Sequence, residues 1–209
     1  MNNEYKFSFF KALLHLKTIL IHKYWVFIYC CKAGIIWRGI KHDISKFSPS
    51  EFIPNVKYVK CGISPIDVQR KEIGYAMSWF HHKGHNSHHW VYWTDRFDEG
   101  CYATRMPLDD AIECVCDLIG ASRAYNGKNY STKLLIDYWN KNIKNKEIIH
   151  PDTRDFIDYF FIKLHYNKNI SESYFINHKY MKKVYDNIIK NSKYDIQIKI
   201  SDIIEMNKK

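Results

Sequence analysis

Five histidines fall within ten residues in "HHKGHNSHHW": His81, His82, His85, His88 and His89, closed by Trp90. Imidazoles gathered at this density bind a metal ion or a phosphate, and a structural role does not account for five of them between Trp79 and Trp90. Earlier in the chain "HDISKF" sets Asp43 directly after His42, with Lys46 four residues after the histidine. Alone, such a pair is ordinary: a helix-terminal histidine beside an acid that caps. Its company raises its interest, because His22 stands upstream on an apolar segment and Asp117 lies inside another one downstream. Asp110, Glu113 and Asp117 are spaced to share a helical face, so Glu113 could hold a ligand histidine in its tautomer. Lys46 could bind a phosphate as a mobile cation, and Glu51 could be the capping-box partner of Ser48. No G-x-S-x-G elbow and no G-x-x-x-x-G-K loop is present, which leaves metal chemistry as the strong signal.

The order His22, His42-Asp43, Asp117 resembles that of the HD metal-dependent phosphohydrolase superfamily. The local sequence is more closely similar to a bacterial and phage-borne family known only as a domain of unknown function. The segments "TILIHKYWV", "HDISKFSPSEF", "GYAMSWFHHKGHNSHHWVYW" and "MPLDDAIECVCDLIGAS" carry that similarity, with HDxSKF and HHxxxNxHH as its motifs. The HD resemblance implies an all-helical fold in which His22, His42, Asp43 and Asp117 hold one divalent ion. Two imidazoles and two carboxylates suit Mn, Fe, Zn, Ni or Co rather than Ca, which prefers oxygen ligands alone. Asp43 is placed to bridge to a second ion, and dinuclear members of the superfamily bind one through extra histidines between the His-Asp pair and the last Asp. Here His82 and His89 are the expected ligands, with His81 and His88 left to orient ligands or donate a proton. The seven-residue spacing within each pair is shorter than is common in that superfamily. Gly84 and Asn86 argue against one unbroken helix, so a turn should re-aim the second pair.

The elements that must position these residues read as helices. Apolar residues from Phe7 to about residue 32 recur at helical spacing, and Gly34 marks the end. A second helix is expected over 35–46, and "FSPSEF" starts a third with Ser48 as N-cap and Pro49 at the first position. Residues 54–66 read as a loop, 66–82 as a helix broken by Gly84, and "MPLDDAIECVCDLIGASRAY" as the strongest helix. Helical patterns follow at 133–142, 152–166 and 174–191. No useful strand alternation precedes "YDIQIKISDII", which fits a strand or a helix. The expected architecture is all-α: an HD-like helical core over 1–127 and a helical C-terminal extension over 128–209 packed on it.

With 209 residues, 46% of them hydrophobic and 16% aromatic, the chain can bury a real core and is not disordered. Its net charge of +10 favours anionic partners, and the spread of the lysines reads mostly as a solvated face. Nucleic acid stays open as a partner but no zinc-finger, RNP or basic-zipper pattern indicates it. The six cysteines form no C-x-x-C unit; Cys30 and Cys31 are adjacent, Cys114 and Cys116 read as packing, and Cys61 and Cys101 stand apart. No signal peptide is visible, so reduced thiols in a cytoplasm are expected. Lys11, His15, Lys17, His22, Lys23 and Lys32 interrupt the apolar stretch 7–37, which therefore should not span a membrane. These readings combine into a metal-dependent phosphohydrolase acting on a small anionic substrate, most simply a nucleotide, with self-association left open. A di-iron oxygenase on the same ligands and a non-catalytic nucleotide or nucleic-acid binder with a structural metal are the alternatives.

Overall fold

The computed structural model describes residues 5–60, 62–98 and 100–208; Cys61 lies outside them. Helix α1, Phe9–Ala33, starts where the Ser8 hydroxyl accepts the Lys11 N–H and stops at Gly34, whose φ of +78° lets its N–H reach the carbonyls of Cys30 and Cys31. Its buried residues, His15, Ile19, His22, Val26, Tyr29, Cys30 and Ala33, follow each other at steps of mostly three or four. They line one face, which changes character along its length: two histidines in the first half, apolar side chains in the second.

That apolar half packs on α6, Leu108–Asn126. The approach is close because Gly120 lies against Val26: a Cβ on residue 120 would stand 2.5 Å from Val26 Cγ2 and 3.0 Å from its backbone nitrogen. Asp117 is one turn before Gly120 and His22 one turn before Val26, so this contact draws Asp117 towards His22. The core extends to Trp139, which follows α7 (Thr132–Tyr138), to Phe156, Phe160 and Phe161 of α8 (Pro151–Tyr166), and to Met181 and Val184 of α10 (His178–Lys190). Residues on both sides of position 127 therefore share one apolar cluster. The short α9, Glu172–Phe175, adds a polar tie: Arg123 donates to Tyr29 Oη at 2.7 Å and the Tyr29 hydroxyl donates to Glu172 at 2.6 Å.

The predominantly α architecture agrees with the sequence, but several elements differ from expectation. The segment 35–46 is not one helix: α2 covers Ile36–Lys41, and a single 3-10 turn covers Ile44–Phe47. Between them His42 is extended in ψ (127°) and Asp43 has φ +53°, a left-handed conformation that Asp tolerates better than most residues. Lys23 stabilises the break by donating from Nζ to the carbonyls of Ile40 (2.8 Å) and His42 (2.5 Å). Lys46 thus does not share a helical face with His42. Helix α3, Pro49–Lys57, runs through Pro54 and shortens the expected loop. The helix expected over 66–82 is two, α4 (Pro65–Ile73) and α5 (Met77–His85), separated at Gly74 with φ +83°. Gly84 stays inside α5, and the chain turns at Asn86 instead.

A hairpin of β1 (Thr94–Phe97) and β2 (Gly100–Thr104) joins β3 (Gln197–Lys199) in an antiparallel sheet, order β1-β2-β3. The first two strands have four and five residues, too short for alternation to be read. "YDIQIKISDII" supplies both of its expected alternatives, β3 and then α11, Ile200–Met206. The helical pattern at 174–191 divides where the Asn177 side chain caps α10. Among the described residues no helix is long and apolar enough to cross a membrane.

Candidate metal centre

Four donor atoms from three elements meet beneath the α1–α6 contact. His42 Nε2 lies 3.3 Å from His22 Nε2, 3.2 Å from Asp43 Oδ2 and 3.4 Å from Asp117 Oδ1. His22 Nε2 is in turn 3.2 Å from Asp43 Oδ2 and 3.1 Å from Asp117 Oδ1. Donors around one ion at tetrahedral bonds of roughly 2.0–2.1 Å stand about 3.3 Å apart, so these spacings are those of a ligand shell. The protonation pattern points the same way. His42 Nδ1 sits 2.8 Å from Glu113 Oε1 and must carry the proton to bond a carboxylate. In the neutral ring this leaves the Nε2 lone pair facing another imidazole nitrogen and two carboxylate oxygens, an arrangement that could hold a cation at its centre.

A second group shares Asp43. Asp43, His82, His88 and His89 each offer an atom within 4.8 Å of the others, and so do His22, His42, Asp43 and Asp117. In the second group Asp43 presents Oδ1, 3.4 Å from His82 Nε2 and 3.5 Å from His88 Nε2. His82 Nδ1 is 2.8 Å from Glu51 Oε2, so its Nε2 again carries the lone pair, and it faces His89 Nε2 at 2.9 Å. Asp43 Oδ1 and His88 Nε2 are buried without a hydrogen-bond partner. Leaving buried polar atoms unpaired is costly, and a divalent ion between them resolves both at once. The His and Asp donor set of both groups fits a transition metal, with one carboxylate reaching both positions through its two oxygens.

Local structure explains how the pentad divides. His82 is on α5, whereas the turn at Asn86 brings His88 and His89 back over it. Asn86 Nδ2 holds the turn, donating to the His82 carbonyl (2.7 Å) and Ser45 Oγ (2.8 Å), and Ser87 Oγ donates to Asp110 at 2.5 Å. Of the two pairs spaced seven apart, His82 and His89 meet. His81 and His88 do not: His81 bonds Glu51 Oε1 at 2.7 Å and stacks on His85 at 4.0 Å, while His88 joins the donor group. His85 is exposed and bonds the His81 carbonyl.

Several supporting residues were not expected or were expected in other roles. Ser48 and Pro49 occupy the N-cap and first position of α3, but Ser48 makes no side-chain cap bond. Glu51 is 1% exposed and spans His81 and His82 instead of closing a capping box. Arg38 Nε donates to Glu113 Oε2 at 2.9 Å, and Arg38 also pairs with Asp110, forming a relay behind His42 and His88. Arg38 carried no sequence signal, because its partners are more than seventy positions away. Lys46 Nζ lies 2.5 Å from Asp43 Oδ2.

The electrostatics follow from this crowding. Burial would lower the His42 pKa, but Asp43, Asp117 and Glu113 outweigh it and hold it well above the ordinary value. Burial would raise the carboxyls of Asp43 and Asp117, yet the surrounding imidazoles, with Lys46 beside Asp43, keep both well below the usual range. Glu113 is brought down to about 2 by His42 and His88 against the effect of burial. His89 is pushed well down by burial, with His88 and His82 beside it, and so is a neutral ligand-grade ring. Burial opposes protonation of Lys46 too, but Asp43 and Asp117 raise its pKa and keep it charged.

A family model described as a family of unknown function (DUF5662) matches residues 11–163, which include every donor named above. No curated protein and no solved structure matches the chain.

Proposed function

The chain belongs to that family of unknown function, so its activity has to be argued from the site, and we propose that it is a metal-dependent phosphohydrolase of HD-like type acting on a small phosphorylated substrate, most simply a nucleotide. The observation that carries the reading is the pair of donor groups sharing Asp43, one through each oxygen. His22, His42, Asp43 and Asp117 would hold one divalent ion, and Asp43, His82, His88 and His89 a second. Bound ions supply a Lewis acid for a phosphoryl oxygen and a nucleophile from water near neutral pH.

The chain's own groups do the rest. Glu113 and Glu51 fix the protons of His42 and His82 on Nδ1, so both rings present Nε2 inwards. Arg38 aims Glu113 by donating to its second oxygen. Lys46, held charged beside Asp43, is placed to neutralise phosphoryl oxygens as charge builds there. His81, on the outer side of Glu51, orients that carboxylate, and the net positive charge draws anions to the molecule.

Turnover tests this directly. Protein purified with its metal should hydrolyse members of a panel of mononucleotides, cyclic nucleotides and simple phosphomonoesters, releasing phosphate from the monoesters and opening the cyclic diesters to monoesters. Lys46→Ala should lower kcat/KM by about 10²-fold while metal content stays unchanged. No hydrolysis of any member, with iron bound and O₂ consumed, would replace this reading with the oxygenase one.

A further inference from the structure

His15 is 6% exposed, and neither ring nitrogen has a hydrogen-bond partner. It stands on the buried face of α1 seven residues before His22, about 10 Å along the helix axis. Both histidines line one cavity of ≈ 250 Å³, which also touches His82, His89, Asp117 and Lys46. Trp79, Tyr125 and Tyr138 supply aromatic surface to the same cavity. The cavity is thus lined by metal-ligating side chains and by a buried imidazole with unused hydrogen-bonding capacity, which a neighbouring cavity of ≈ 210 Å³ also reaches.

A second cavity, of ≈ 300 Å³, reaches His42, His88 and Glu113 from the opposite side. There the rings turn their Nδ1 atoms, already bonded to Glu113, and Arg38 is engaged by Glu113 and Asp110. Of the histidines whose Nε2 atoms approach Asp43, His22 and His82 line the His15 cavity, and His42 and His88 line this second one.

We infer that the His15 cavity is the substrate pocket, and that His15 selects phosphate esters carrying a planar group with a hydrogen-bond donor and acceptor at the end remote from the phosphate. This rests on the phosphohydrolase reading for the phosphate end, whereas the recognition at His15 is independent of turnover. Burial, with Lys46 nearby, brings the His15 pKa down to about 4, so at neutral pH the ring offers one donor and one acceptor and no charge. An apolar group placed there would leave both ring nitrogens unpaired, whereas an amide-like edge would satisfy both.

Binding separates this recognition from catalysis. Calorimetry on metal-loaded protein would compare para-carbamoylbenzylphosphonate with para-isopropylbenzylphosphonate, which match in shape and differ in hydrogen bonding. Wild type should bind the carbamoyl probe at least about tenfold more tightly, His15→Phe should erase the difference, and His15→Gln should retain part of it. In wild type, where folding is not at issue, the His15 ring ¹⁵N resonances should move with the carbamoyl probe and not with the isopropyl one. Equal affinities, an unchanged preference in His15→Phe, still ring resonances, or no binding of either probe would overturn the inference. A clear preference combined with no hydrolysis of any ester would leave His15 recognition standing and remove the phosphohydrolase reading.

Discussion

Glu113 belongs to neither donor group around Asp43, yet its Oε1 accepts from both His42 and His88, and its Oε2 accepts from Arg38. Glu113→Gln should therefore leave the fold intact and weaken metal binding by about 10- to 100-fold, read by competition with a chelator of known affinity. The raised His42 pKa sets a pH dependence. In the metal-free protein, protonated His42 contributes stability that is complete below about pH 6.5 and is lost as the pH rises through the raised value. Metal binding requires the neutral ring, so affinity must rise over the same interval. The depressed carboxyls of Asp43 and Asp117 stay ionised throughout and lose their contribution only in strong acid. The gap in Tm between metal-loaded and chelated protein should widen as the pH rises from about 6.5 through the raised His42 value. A gap that narrows on the same titration would mean that the ion does not compete with the His42 proton.

At the scale of elements, the contact between α1 and α6 sets the first donor group, and Gly120 sets the contact. Gly120→Val would force the backbone of α6 away from Val26, costing about 1–3 kcal/mol in denaturant unfolding and displacing Asp117 from His22. Metal binding should fall with it, whereas a substitution at the exposed Ile204 of α11 should leave both unchanged. These two helices were legible in the sequence because each is long and carries a continuous pattern, and so was the turn that folds the second half of the pentad back. The break at His42-Asp43 was not, because its causes are long-range: Lys23 takes the carbonyls at the end of α2, and the site draws both side chains inwards. Glu51 was misassigned for a related reason. Its spacing from Ser48 matches a capping box, but two imidazoles from α5 compete for the same carboxylate. The hairpin escaped notice because strands this short carry no readable period. His15 gave only the signal of a polar residue interrupting an apolar stretch, and the empty hydrogen-bonding capacity around it is a property of the folded cavity.

For the whole molecule, the donors come from α1, the α2–α3 connection, α5 with the turn after it, and α6, so an ion bound to them ties most of the first half of the chain together. Binding to the folded state alone stabilises it by mass action, about 2.7 kcal/mol at a free metal concentration a hundred times Kd. Chelation should accordingly lower Tm, and re-addition of metal should restore it. The C-terminal helices enter through the shared apolar core and through Glu172, which links α9 to Tyr29 and Arg123. The central claim is that Asp43 joins two ion positions, and elemental analysis of protein purified without chelator tests it most directly. Two ions per chain are expected in wild type, one in His89→Ala and fewer than one in Asp43→Ala, with each variant shown to be folded. Full metal content in Asp43→Ala, or none in wild type supplied with Mn, Fe, Zn, Ni and Co in turn, would contradict the account.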